Sequence, residues 1–109
     1  MSLTTITVTG HYKDMLGRGA SGTVTFIPET DIFTDTVNDV VYTKQIYTAR
    51  LTFDGKFSIV IPCTDVDSLT PTAFTYTVEE FVTGMNKRRT SGVAIDSSHG
   101  LTVDITDLL

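Results

Sequence analysis

Apolar and polar residues alternate along several short stretches of the chain, a pattern typical of half-buried β-strands. The clearest stretch covers residues 47–62, where two alternating runs meet at Asp54-Gly55. Its apolar positions fall on one face of each run: Tyr47, Ala49 and Leu51 in the first, and Phe57, Ile59 and Ile61 in the second. We predict a β-hairpin whose two apolar faces coincide.

The predicted hairpin turns through a three-residue loop, Phe53-Asp54-Gly55. A two-residue loop would place Leu51 opposite Ser58 and separate the apolar faces, whereas the three-residue loop places Leu51 opposite Phe57. Such a loop is a type I turn whose last residue is left-handed, and Gly55 adopts that conformation without steric cost. The predicted pairs are Leu51 with Phe57, Ala49 with Ile59 and Tyr47 with Ile61.

The same alternation predicts further strands at 4–12, 20–27, 74–82, 88–95 and 101–106. Leu101, Val103 and Ile105 are expected to point inward in the last of them. Phe81 has the opposite parity to Phe74, Tyr76 and Val78, so a bulge or strand end is expected around Glu79 and Glu80.

Seven or eight short strands without a helical period predict an all-β fold with almost no helix. The favoured architecture is an antiparallel sandwich, immunoglobulin-like or transthyretin-like, and an eight-stranded barrel is the alternative. The two inner faces supply the predicted core: Ile6, Val8, Val24, Phe26, Leu51, Phe57, Ile59, Tyr76, Val78, Val93, Val103 and Ile105.

Length and composition restrict the classes of protein. At 109 residues the chain is long enough for one domain with its own core, and its single cysteine, Cys63, excludes an intrachain disulfide. The net charge of −5 has no long run of one sign behind it, which argues against a nucleic-acid or membrane partner. The chain also begins without a basic, apolar leader, so a signal peptide is not expected.

Residues 29–44 interrupt the alternation. We expect a long excursion with a short edge strand at 40–42, which either folds over an open end of the sandwich or packs against another protein. Its apolar side chains are the predicted partner-binding residues: Ile32, Phe33, Val37, Val40, Val41 and Tyr42.

Few residues suggest catalysis or metal binding. Asp65-Val66-Asp67-Ser68 resembles the start of a calcium loop but has neither the glycine nor the closing glutamate, so a turn cap is the favoured interpretation. Glu79 and Glu80 are expected to pair with Lys87-Arg88-Arg89. His11 and His99 do not have metal-ligand spacing, and no nucleophile motif or phosphate loop occurs. We therefore expect a non-enzymatic protein without a cofactor or metal.

Several segments together resemble a β-sandwich module of actinobacterial tailed phages, found in minor tail proteins, tail fibres and capsid surface proteins. They are Ile6-Thr7-Val8-Thr9-Gly10, Ser21-Gly22-Thr23-Val24-Thr25-Phe26-Ile27-Pro28, Leu51-Thr52-Phe53-Asp54-Gly55-Lys56-Phe57-Ser58-Ile59, residues 69–80 and residues 103–109. The sequence is similar, more loosely, to transthyretin-like and carboxypeptidase-regulatory-like sandwiches.

The resemblance implies a structural component of a virion that binds other virion proteins, as a homo-oligomer such as a trimer. A carbohydrate-binding module is the alternative, with Tyr12, Tyr42 and Tyr47 as the stacking platforms. The ending Asp107-Leu108-Leu109 also fits a cut inside a longer chain, of which residues 1–109 would be the N-terminal domain.

Overall fold

The computed structural model describes residues 4–66, 69–70 and 73–109. This part of the chain is all-β, as predicted, and its helices are two single 3-10 turns at Ser97–His99 and Ile105–Asp107. The strands are β1 (Thr5–His11), β2 (Gly22–Pro28), β3 (Ile32–Asp35), β4 (Val40–Thr43), β5 (Tyr47–Arg50), β6 (Lys56–Pro62), β7 (Leu69–Thr70), β8 (Tyr76–Val82), β9 (Arg88–Val93) and β10 (Thr102–Asp104). The prediction of seven or eight strands missed β3 and β7.

Two sheets face each other across the core. One has the strand order β10-β1-β6 and the other β5-β2-β8-β9. The ring centroid of Phe26 on β2 lies 6.4 Å from that of Phe57 on β6. The Tyr76 hydroxyl on β8 donates to the Pro62 carbonyl of β6 at 2.7 Å. These contacts across the layers confirm the sandwich over the barrel. β10 runs parallel to β1, in contrast to the antiparallel pairing of the other strands.

The predicted core is confirmed with one adjustment. Of its twelve residues, Ile59 is only partly buried and packs against the edge of the cluster. The core also contains side chains beyond the prediction: Phe33, Ala49, Ile61, Cys63, Val66, Leu69, Phe74, Val82 and Ile95.

The turn of the predicted hairpin is confirmed, but the pairing beyond it is wrong. The Thr52 amide donates to the Lys56 carbonyl at 2.9 Å around the three-residue loop, and Gly55 has a φ of 82°. At Leu51 the chain crosses to the other sheet, where the Leu51 amide donates to the Gly22 carbonyl of β2. Ala49 therefore lies opposite Val24, and Ile59 opposite Val8. Both apolar faces still reach one core, because the two strands belong to facing layers.

Strand β8 keeps its parity to its end, contrary to the predicted bulge. Tyr76, Val78, Glu80 and Val82 are all buried on one face while Phe81 is exposed, and the register shift lies between Tyr76 and Val78 instead. The acidic Glu80 thus occupies an inward position.

Two further expectations change at the other strands. Leu101 precedes β10 and is exposed rather than inward. Residues 29–44 contain a β3–β4 hairpin rather than one edge strand, with Phe33 opposite Tyr42. β7 pairs with the other side of β3 and completes a small third sheet.

The loops of the sandwich lie at its two ends. The loop end contains residues 12–21, 51–55 and 83–87. The opposite end contains the β3–β4 hairpin, residues 32–43, which we call the arm. The molecule measures 51 × 24 × 19 Å. A seven-residue strand spans only about 23 Å, so the arm and loops beyond the strand ends account for the rest of the length.

Candidate functional site

The arm has one face toward the core and one toward solvent. Phe33 and Asp35 are buried, while Ile32 on β3 and Val41 on β4 are 55% and 63% exposed. Thr43 lies opposite Ile32, and Thr34 opposite Val41. Because opposite residues in an antiparallel pair share a face, Ile32 and Val41 form an apolar diagonal on the outer face.

β4 is the edge strand of the small sheet, which has the order β4-β3-β7. The Lys44 amide donates to the Asp31 carbonyl at 2.8 Å, so the backbone groups of Lys44 face the β3 side. In antiparallel pairing, alternate residues direct their backbone groups to the same neighbour. The backbone groups of Val41 and Thr43 therefore point away from β3, toward the outer edge of the arm.

The turn of the arm is held by a buried carboxylate. Asp35 accepts hydrogen bonds from the amides of Val37 and Asn38 at 3.2 and 3.1 Å, and from the Asn38 side chain at 2.8 Å. Asp39 completes the turn with a positive φ of 55°. The fixed turn leaves Val37 exposed at the end of the arm.

The arm is attached to the sandwich by aromatic packing and by a hydrogen-bonded carboxylate. The ring centroids of Phe33 and Phe74 are 4.6 Å apart, and Phe74 also contacts Tyr76 in the core. Glu29, between β2 and the arm, accepts hydrogen bonds from the Thr75 hydroxyl and, at 3.0 Å, from the Thr77 hydroxyl. The Thr75 bond is the main reason that the pKa of Glu29 is lowered.

The predicted partner-binding residues therefore divide by their position in the arm. Ile32, Val37, Val40 and Val41 are exposed, whereas Phe33 is buried in the core and Tyr42 is half-buried against it. The segment thus covers one end of the sandwich, the first of the two expected arrangements, and its outer face presents apolar groups to solvent. Packing against another protein stays a prediction.

The loop end presents a second set of apolar side chains, which we call the loop tip: Met15, Leu16 and Phe53. Met15 and Phe53 are almost fully exposed, and Leu16 is 79% exposed. The two loops that carry them are adjacent. The Tyr12 amide donates to the Gly55 carbonyl at 2.8 Å, and a Cβ on Gly19 would lie 2.3 Å from the Asp54 carbonyl carbon. Sequence reasoning treated these residues as turns and did not identify the loop tip.

The loop tip is also rigidly held. Asp14 accepts hydrogen bonds from the Leu16 amide at 2.9 Å and the Arg18 amide at 3.0 Å, and pairs with the Arg18 side chain at 2.8 Å. The backbone bond from Arg18 is the main cause of the lowered pKa of Asp14. Both ends of the molecule thus use a carboxylate to fix a turn that displays apolar side chains.

Charge is distributed unevenly between the two ends. The arm end carries these acidic residues among the described ones: Glu29, Asp31, Asp35, Asp39, Asp65 and Asp96. Lys44 is the cation on this part of the chain, and it bonds Asp31 at 3.3 Å. The loops that carry the loop tip, residues 12–21 and 51–56, contain three cations and two carboxylates: Lys13, Arg18 and Lys56, and Asp14 and Asp54. The arm end is therefore acidic, while the loops of the loop tip carry a small excess of cations.

Glu80 forms a buried polar cluster near the loop end. Its carboxylate accepts from Arg88 Nε at 2.6 Å, Arg88 Nη2 at 3.1 Å and the Tyr12 hydroxyl at 2.5 Å. Burial, followed by the bond to Glu80, strongly raises the pKa of Tyr12. An open cavity of about 420 Å³ adjoins the cluster, with His11, Lys13 and Thr106 on its wall. Because every oxygen of Glu80 is paired, the cluster serves the packing of the sandwich.

The other residues that the sequence singled out have structural contacts. Glu79 pairs with Lys87 and Arg89, and Glu80 with Arg88, as predicted. Asp65 accepts from the Ser97 hydroxyl at 2.6 Å, which lowers its pKa and joins it to the 3-10 turn at Ser97–His99. The predicted cap of its own loop stays a prediction, because Asp67 and Ser68 lie outside the described residues. Burial raises the pKa of Cys63. Across residues 4–66, 69–70 and 73–109, no group of three or more His, Cys, Asp or Glu side chains is arranged to hold a metal ion.

The three tyrosines considered for carbohydrate stacking do not share a surface. Tyr12 lies at the loop end, stacked on Phe57 with ring centroids 6.3 Å apart. Tyr42 and Tyr47 line a cavity of about 90 Å³ at the base of the arm, together with Phe33 and Phe74.

Of the helices in the described part of the chain, none is long and apolar enough to cross a membrane.

The sequence signal for the loop tip is the placement of Met15-Leu16 and Phe53 inside turn sequences rich in Gly and Asp, where apolar residues have no core to enter.

Compared with models of protein families, curated proteins and solved structures, the chain matches none of them.

Proposed function

We propose that this protein is a structural component of a tailed-phage virion, located on the tail or the capsid surface, and that it acts through contacts with other virion proteins and copies of itself. The observation that carries this proposal is the arm. It exposes Ile32, Val37 and Val41 on an edge hairpin, and the buried Phe33 and Asp35 fix its position.

A fixed apolar surface of this kind is suited to binding another protein, because little conformational freedom is lost on contact. Exposed edge strands usually carry charges or bulges that block pairing. Val41 and Thr43 supply neither, so the arm keeps its edge available. The sequence resemblance to modules of actinobacterial phages supports the virion as the setting, with a homo-oligomer as the form in which the protein occupies symmetric sites.

Incorporation into particles tests this function. Virions are assembled with the wild-type chain, with Val41→Lys and with Val60→Lys, and gold-labelled antibody locates the chain. Val60 is 57% exposed on β6 of the sandwich, so Val60→Lys is a control of similar exposure outside the arm. We expect labelled particles for the wild type and Val60→Lys, and loss of label for Val41→Lys.

The gene neighbourhood provides an independent check. A position among tail or capsid genes is the expected result. A gene in a non-viral context, together with unlabelled particles, would overturn the virion assignment. Binding to a glycan array would overturn the proposal that the protein acts only through contacts with proteins, and it would favour the carbohydrate-binding alternative.

A further inference from the structure

We infer that the loop tip of one copy docks on the arm of a second copy, so that the protein assembles head to tail. This contact rests on the proposed role as a protein-contact module and names its partner: another copy of the same chain. Apolar side chains are exposed at both ends of the molecule, on the arm at Val37 and Val41 and on the loop tip at Leu16 and Phe53.

Charge complementarity favours this pairing of unlike ends. Residues 29–44 carry four carboxylates and one lysine, whereas residues 12–21 and 51–56, around the loop tip, carry three cations and two carboxylates. Two arms facing each other would bring acidic groups together, and two loop tips, each with a small excess of cations, would gain no attraction from their charges. The head-to-tail arrangement instead places cations against carboxylates around an apolar centre, which gives specificity and register.

Both surfaces are also fixed before contact. Asp35 holds the turn of the arm through the amides of Val37 and Asn38, and Asp14 holds the Met15-Leu16 turn through the amides of Leu16 and Arg18. Phe53 lies in a turn closed by the bond from the Gly55 amide to the Thr52 carbonyl. Such surfaces lose little conformational entropy on binding, which lowers the cost of association.

A contact between unlike surfaces leaves one arm and one loop tip free in every dimer. Further copies therefore add until the rotation closes a ring, or continue as a filament. This geometry is compatible with the trimer expected for a virion protein and does not require a symmetric interface.

Two variants that disable opposite ends test the inference. The first, Leu16→Asp/Phe53→Asp, places acidic groups on the loop tip. The second, Val41→Lys, places a cation on the arm. All these positions are exposed, so both variants are expected to keep the wild-type circular dichroism spectrum and melting temperature. Sedimentation velocity then measures the size of each variant alone and of an equimolar mixture.

For head-to-tail association we expect the wild type to form species larger than a dimer, each variant alone to be monomeric, and the mixture to form a dimer and nothing larger. Val60→Lys should associate like the wild type. High salt should weaken the association by screening the charged rim.

Other results would overturn the inference. Self-association of the loop-tip variant alone would show arm-to-arm contact, and self-association of Val41→Lys alone would show contact between loop tips. A monomeric wild type at high concentration would also overturn it, as would Phe53-dependent binding to anionic phosphatidylserine vesicles without self-association. A monomer that nevertheless labels virions would leave the proposed contacts with other virion proteins standing, so the two failures are distinguishable.

Discussion

Glu80, which has no exposed surface, receives both arms of the Arg88 guanidinium at 2.6 and 3.1 Å, while the neighbouring Glu79 bonds Arg89 at 2.9 Å on the outer face. The two pairs lie on adjacent rungs of β8 and β9, on opposite faces of the sheet. They therefore allow a comparison between a Glu–Arg pair whose carboxylate is closed to water and one whose carboxylate is 14% exposed.

Arg88→Met should destabilise the protein by about 2 to 3 kcal/mol, since it leaves the charge of Glu80 buried with Tyr12 as its remaining partner. Fully buried pairs lose about 3 to 5 kcal/mol when one partner is removed, and Arg88 is 56% exposed, which reduces the cost. Arg89→Met removes a pair on the outer face and leaves Glu79 with Lys87, so it should change stability by less than about 1 kcal/mol. Urea unfolding measures both, and equal losses would contradict the distinction.

Gly55→Ala should be much more costly than Gly17→Ala, although both glycines have a φ of 82°. A Cβ at Gly55 would lie 2.0 Å from the Tyr12 carbonyl oxygen, whereas nothing lies within 4 Å of the same atom at Gly17. Gly17→Ala should show only the conformational strain, about 1 kcal/mol, while Gly55→Ala should exceed about 3 kcal/mol. Thermal melting of the two variants checks this, and equal melting temperatures would be inconsistent with the close packing at Gly55.

Alternation along the chain predicted the buried faces well but not the neighbours of each strand. Ala49 and Ile59 point inward as expected, yet they belong to different sheets. Two strands that pair in a hairpin and two strands that separate into facing sheets after a turn have the same alternation of apolar residues, so the pattern did not distinguish them. The Phe53-Asp54-Gly55 turn was predictable because its chemistry is local. The pairing of β5 with β2 depends on distant residues and was not.

The arm was recognised as unusual but not as a hairpin. In β3 the inward positions are Phe33 and Asp35. Because Asp35 is acidic, the sequence of β3 does not show the alternation of apolar and polar residues that marks a strand. Its hydrogen bonds to Val37 and Asn38 explain the burial, but they become evident only with the turn in place. The loop tip escaped prediction for a different reason, since exposed apolar residues at turns carry no periodicity.

Acid should loosen the attachment of the arm through Glu29. Hydrogen bonds, chiefly from Thr75, lower its pKa below the usual 4.5 in the folded protein. A lowered folded-state pKa means that the ionised carboxylate stabilises the fold above about pH 4.5, and that this contribution is lost as the pH falls through the folded-state value. In Thr75→Val the pKa of Glu29 should rise toward 4.5, as followed by carboxyl NMR titration. An unchanged titration would show that Thr75 does not stabilise the charged form.

Phe33→Ala should release the arm while leaving the sandwich folded. The Phe33 ring is 6% exposed and packs 4.6 Å from Phe74, so its removal should cost about 3 kcal/mol at the base of the arm. Because the rest of the core lies between the two large sheets, hydrogen exchange should accelerate at the amides of β3 and β4 but stay slow in β2 and β8. Val41→Ala, on the exposed face, is the control and should leave exchange unchanged. Uniform acceleration across all strands in Phe33→Ala would instead show that the arm and the sandwich unfold as one cooperative unit.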